Sequence, residues 1–98
     1  MDEMILTTEE RVILIKLINK KGIENQLRQC VEEANEWGVS ILHSLRGRDG
    51  HIGETITETA DLIIMINQFL IMCPKLKEYV RKEINRKILR CEESYLKE

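Results

Sequence analysis

Five carboxylates in two short groups are the residues of this chain best suited to chemistry. Glu32-Glu33-Ala34-Asn35-Glu36 holds three acids within five residues, and Glu58-Thr59-Ala60-Asp61 adds two more after a spacer of 21 residues. Side chains three or four apart stand on one side of a helix, one turn from each other. Donor sets made only of oxygen suit a hard divalent cation, Mg²⁺ first and Mn²⁺ second. The chain carries no Gly-rich phosphate loop, no Ser/His/Asp set and no Cys/His pair with nucleophile logic. Any catalysis must therefore work through carboxylates and a metal.

The elements that position these acids are predicted to be helices. The sequence has one Pro, five Gly and one Phe among 98 residues, with many Ile, Leu, Glu and Lys. That balance favours an all-α fold over a sandwich or barrel, whose turns consume Gly and Pro. A chain of this length is one domain, residues 1–98, with an adequate but thin core, so self-association is expected. Fifteen basic and 17 acidic residues give a net charge of −2 and are scattered along the chain. No basic footprint for nucleic acid results.

The start, Met1-Asp2-Glu3-Met4, is acidic where a secretory signal is basic, and the apolar stretch from Leu62 to Cys73 is short and interrupted by Asn67 and Gln68. Both features predict a cytoplasmic protein with no membrane partner. Cys30, Cys73 and Cys91 are odd in number and lack CxxC spacing, which fits reduced, packing thiols.

Thr7-Thr8-Glu9-Glu10 has capping-box spacing, and Lys20-Lys21-Gly22 has the marks of a helix end, so a first helix is expected from about Thr8 to Lys20. The second is expected from about Ile23 to Leu45, with Leu27, Val31, Ala34, Gly38, Ile41 and Leu45 as its packing seam. Glu32, Glu33 and Glu36 then fall on the side away from that seam, where a solvated acidic face is the simplest reading. A loop is expected over Arg46–Gly53, a third helix from about Glu54 to Cys73, and a fourth beginning at Pro74 with the stripe Leu76, Val80, Ile84, Ile88, Cys91 and Tyr95.

Helix three is apolar nearly all round, which predicts burial, and Glu58 and Asp61 stand at its polar entrance. If helices two and three pack antiparallel, all five acids approach one another. Two like charges about 4 Å apart repel by roughly 4 kcal/mol at an effective dielectric of about 20. That is a large part of a small domain's stability, so the cluster needs a partner: Arg or Lys in a structural role, or a divalent cation in a functional one. Lys87 lies inside the fourth helix's stripe, flanked by Arg86 and Arg90; it is either a snorkelling lysine or a phosphate contact.

Glu32-Glu33-x-x-Glu36, a spacer of 21 residues, and Glu58-x-x-Asp61 within Glu58-Thr-Ala-Asp-Leu-Ile-Ile-Met-Ile resemble the MazG-like branch of the all-α nucleoside triphosphate pyrophosphohydrolases, short phage-type members included. The resemblance runs from about Ile23 to Glu93 and takes in Arg86-Lys-Ile-Leu-Arg90-Cys-Glu-Glu93. It implies a four- to five-helix bundle whose core and active site are completed in a dimer or tetramer. It also implies Mg²⁺-dependent hydrolysis of an NTP or dNTP to the monophosphate and pyrophosphate.

By match to the motif, Glu33, Glu36, Glu58 and Asp61 would bind metal, Glu32 or Glu33 would orient or deprotonate water, and Lys87 and Arg90 would contact phosphates. Trp37, beside the acids, is a candidate to stack on a base, or else part of a core or dimer interface. Where some branches carry a further acid one turn after the aspartate, this chain has Met65. Two alternatives stand beside this reading: a catalytically silent helical interaction module, and a hydrolase of another pyrophosphate-linked substrate.

Overall fold

The computed structural model describes residues 6–47 and 51–96, and no strand occurs among them. Four helices follow in order: α1 (Thr8–Lys21), α2 (Ile23–Leu45), α3 (His51–Met72) and α4 (Pro74–Cys91), the last running on into a π-helical turn at Glu92–Leu96. The all-α class is as expected. Helix α3 begins earlier than the predicted loop allows: residues 51–53 are helical, and 48–50 lie outside the described residues.

The capping box forms at the start of α1. Glu10 N–H donates to Thr7 Oγ1 at 3.1 Å and Thr7 N–H to Glu10 Oε1 at 2.8 Å, which satisfies two of the donors a helix start leaves open. Gly22 joins α1 to α2 with φ 91° and ψ 147°, a positive-φ conformation that side chains disfavour. Its ψ is extended rather than left-handed helical. Its N–H donates to the Ile18 carbonyl at 2.8 Å, and its own carbonyl accepts from Gln26 N–H at 3.1 Å, so one residue ends α1 and starts α2.

Helices α2 and α3 form an antiparallel hairpin whose register is written in polar pairs. Gln26 Nε2 donates to Gln68 Oε1 at 2.6 Å, Cys30 Sγ to the Met65 carbonyl at 3.4 Å, and Trp37 Nε1 to Thr59 Oγ1 at 3.1 Å. Ser44 Oγ and Thr55 Oγ1 are 2.8 Å apart at the loop end. As residue numbers rise along α2 they fall in step along α3.

This register overturns the predicted seam. The face of α2 turned to α3 carries Gln26, Cys30, Glu33, Trp37 and Ser40, whereas Val31 and Leu45 on the expected seam are 61% and 78% exposed. The opposing face of α3 supplies hydroxyl and amide partners. Packing Leu and Val against them would strand those groups without hydrogen bonds, at about 1–3 kcal/mol each; matching polar to polar avoids that loss.

The interior is correspondingly thin. Among the described residues Leu14, Ile18 and Met65 are the buried apolar side chains, accompanied by Gln26, Ser40, Asn67 and Gln68. Ser40 Oγ donates to the Trp37 carbonyl and Asn67 Nδ2 to the Ile63 carbonyl, so these groups are satisfied within their own helices. Helix α3 is not enclosed as its composition predicts: Ile52, Ile56 and Ile66 are exposed. Its segment Ile52–Met72, with a mean hydropathy of 1.2, is long and apolar enough to cross a membrane.

Helix α1 covers α2 and α3 on one side, while α4, among the described helices, packs on α3 and on neither α1 nor α2. Consequently Leu76, Val80, Ile84 and Ile88 all remain exposed, and Cys91, expected to pack, is exposed as well. The radius of gyration is 16.1 Å, against about 13 Å for a compact domain of this length.

Candidate metal centre

In an antiparallel pair, two motifs with the same i, i+3 spacing read in opposite directions meet residue for residue. Glu33 comes opposite Asp61 and Glu36 opposite Glu58. Carboxylate oxygens of Glu33, Glu36 and Glu58 all lie within 4.8 Å of one another. Asp61 stands beside Glu33, near enough for its charge to bear on the Glu33 carboxyl.

Two oxygens of this cluster are orphaned. Glu33 Oε2 and Glu58 Oε2 are buried and have no hydrogen-bond partner, an uncommon state for buried polar atoms. Glu33 Oε1 accepts from Gln29 Nε2 at 2.9 Å, which orients the carboxylate with its second oxygen inward. Burial first, then the neighbouring Glu36 and Asp61 charges, push the Glu33 carboxyl above the ordinary carboxylate range, against the opposing effect of the Gln29 bond. The Glu58 carboxyl is pushed up too, by burial and then by Glu36, Glu33 and Asp61. Among the described residues no cation offsets either shift.

The donor set fits a hard divalent ion. Mg²⁺ holds oxygens at about 2.0–2.1 Å, so two ligands of one ion lie about 3–4 Å apart. The 4.8 Å spread would have to close by about 1 Å, a movement that carboxylate rotamers supply once the repulsion holding them apart is cancelled.

The other predicted residues are placed less centrally. Glu32 is exposed and lines a neighbouring cleft with Lys21, Asn25 and Arg28, so it is not among the three acids that gather. Trp37, half-buried between α2 and α3, commits its indole N–H to Thr59, whose hydroxyl in turn donates to the Thr55 carbonyl at 2.7 Å. Lys87 and Arg90 sit exposed on α4, a helix that makes no packing contact with α2. Within one chain they do not join the acids.

Two features escaped the sequence. Gln29 orients Glu33, and the buried Gln26–Gln68 pair lies two turns beyond the acids on both helices at once. The signal was present as a register: once Glu33 is set opposite Asp61, stepping seven residues outward on each helix brings Gln26 opposite Gln68.

Comparison with family models, with curated proteins and with solved structures finds no match. The class of protein defined by fold and site is therefore a helical hairpin with a carboxylate cluster at its centre, and its activity is argued from that geometry.

Proposed function

We propose that the protein is a Mg²⁺-dependent nucleoside triphosphate pyrophosphohydrolase that cleaves the α–β phosphoanhydride bond of an NTP or dNTP, acts in the cytoplasm and self-associates. One observation carries the reading: Glu33 and Glu58 aim buried, partnerless oxygens into a space shared with Glu36. A structural acid cluster would instead be expected to meet Arg or Lys, and among the described residues none pairs with these oxygens.

In this scheme Glu33, Glu36, Glu58 and Asp61 hold the ion. When bound, Mg²⁺ or Mn²⁺ withdraws charge from phosphoryl oxygens and makes a coordinated water more acidic. Glu32 or Glu33 would take the proton as water adds to the α-phosphorus and pyrophosphate leaves. Gln29 keeps the Glu33 carboxylate in its orientation through the bond to Oε1.

Self-association accounts for what the single chain leaves open. The exposed stripe of α4 and the exposed Val31, Leu42 and Leu45 of α2 need an apolar partner, and a second copy is the partner always present. Lys87 and Arg90 on α4 would then reach the phosphates across the interface.

The test is pyrophosphate release from a panel of NTPs and dNTPs with and without Mg²⁺. Metal-dependent release from at least one is expected, and none from any would refute the reading for nucleotides. The exposed apolar faces favour a second reading, a silent interaction module. It predicts no release and no Mg²⁺ binding, with self-association intact. Release from a different pyrophosphate-linked compound alone would place the same chemistry on another substrate.

A further inference from the structure

A cavity of about 340 Å³ opens between α1, α2 and α3, with Glu33 and Asp61 in one wall. Its size falls at the lower end of small-molecule sites. At the other end of the cavity stand the side-chain amides of Gln26 and Gln68, 5% and 1% exposed. Between the two ends, Leu17, Ile64 and Met65 supply apolar surface.

The amides keep hydrogen-bonding capacity. Gln26 Nε2 donates to Gln68 Oε1 at 2.6 Å, and Gln68 Nε2 donates to the Met65 thioether at 3.7 Å, a weak acceptor. Each amide carries two N–H donors and an oxygen with two lone pairs, so this pairing leaves donors and acceptors to spare. Both side chains line the cavity next to its apolar slot.

Spacing links the two ends. Gln26 precedes Glu33 by seven residues, and Gln68 follows Asp61 by seven. Seven residues span about 10 Å at 1.5 Å per residue, comparable with the reach of a nucleoside monophosphate from base edge to phosphate. We infer that the cavity between α1, α2 and α3 receives the nucleoside, with a base edge on Gln26 and Gln68 and its faces against Leu17, Ile64 and Met65.

This assignment rests on the hydrolase reading for the phosphate end and makes the substrate a nucleotide selected by its base, rather than any linear polyphosphate. A second cleft, on the other side of the acids, is lined by Asn35, Glu36, Val39, Glu54 and Glu58. That cleft carries one amide, Asn35, where the first offers the facing pair Gln26 and Gln68.

The test follows the side-chain amide resonances of Gln26, Gln68 and Asn35 in the full chain during titration with AMP, GMP, CMP, UMP or ribose 5-phosphate. Saturable movement of Gln26 and Gln68 with at least one nucleotide, and none with ribose 5-phosphate, is expected. Equal movement with ribose 5-phosphate, movement of Asn35 in their place, or no movement at all overturns the assignment.

In parallel, the double variant Gln26→Met/Gln68→Met removes both amides together and so leaves neither orphaned. Its preference between bases, measured as kcat/KM for pyrophosphate release, should fall about tenfold or more through KM; a preserved preference counts against the site. Should the variant not fold, the titration of the native chain decides. Pyrophosphate release without amide movement would leave the hydrolase standing and the base site refuted. Amide movement without release would do the reverse.

Discussion

Replacing Glu33 with Gln tests the metal centre without relying on catalysis. The substitution keeps the shape and the oxygen that accepts from Gln29, removes one negative charge, and turns the orphaned Oε2 into an amide that can donate to Asp61. With oxygens of Glu33 and Glu36 at most 4.8 Å apart, their repulsion is about 3.5 kcal/mol at an effective dielectric of about 20 and about 0.9 kcal/mol in bulk water. Glu36 is exposed, so the lower half of that range applies, and about 1–2 kcal/mol is the expected gain in metal-free stability. For a domain of this size each kcal/mol moves the midpoint by about 4–8 °C. Thermal unfolding followed by circular dichroism in a chelator, at neutral to mildly alkaline pH, should therefore show Glu33→Gln melting at least about 4 °C above the native chain. Added Mg²⁺ should raise the native midpoint by mass action and leave the variant nearly unmoved. If Glu33→Gln melts lower than the native chain in chelator, the carboxylate has a stabilising partner and the cluster is structural.

Three further outcomes are expected. Glu36→Gln and Asp61→Asn each should abolish Mg²⁺-dependent pyrophosphate release while native helicity and cooperative unfolding persist; loss of fold would speak for a salt-bridge role. The raised carboxyls of Glu33 and Glu58 hold protons more tightly in the folded chain than in the unfolded one, so metal-free stability should rise as pH falls from neutral toward the ordinary carboxylate range, and Mg²⁺ should flatten the slope; denaturant midpoints across pH measure this, and a metal-free stability that falls over that range contradicts the shifts. Finally, Ile84→Asp, in the middle of the exposed stripe of α4, should dissociate the oligomer in sedimentation, and a native chain that is monomeric at micromolar concentration would refute self-association through this helix.

How much of this was legible beforehand differs by level. Helix bounds were nearly all available from local chemistry, since Thr7 and Glu10 cap each other, Gly22 turns the chain and Pro74 starts α4, all through neighbours within four residues. The early start of α3 escaped because His51-Ile52-Gly53 reads as loop by composition, while hydrogen bonding to later residues makes it the first turn of the helix. The face of α2 was misassigned for a longer-range reason. Apolar periodicity marks a surface that seeks an apolar partner, and no described element covers that surface, so Val31 and Leu45 stay exposed while polar residues take the contact with α3.

The sequence by itself determined the all-α class, the four helices and two acidic motifs of matching i, i+3 spacing, because capping, propensity and that spacing are local properties. Tertiary structure alone decided which acids meet, through an antiparallel register set by the Gln26–Gln68, Cys30–Met65 and Trp37–Thr59 contacts. It brought Glu33, Glu36 and Glu58 together and left Glu32 outside. It also carried Lys87 and Arg90 away on α4, which packs on α3 and makes no packing contact with α2 among the described residues.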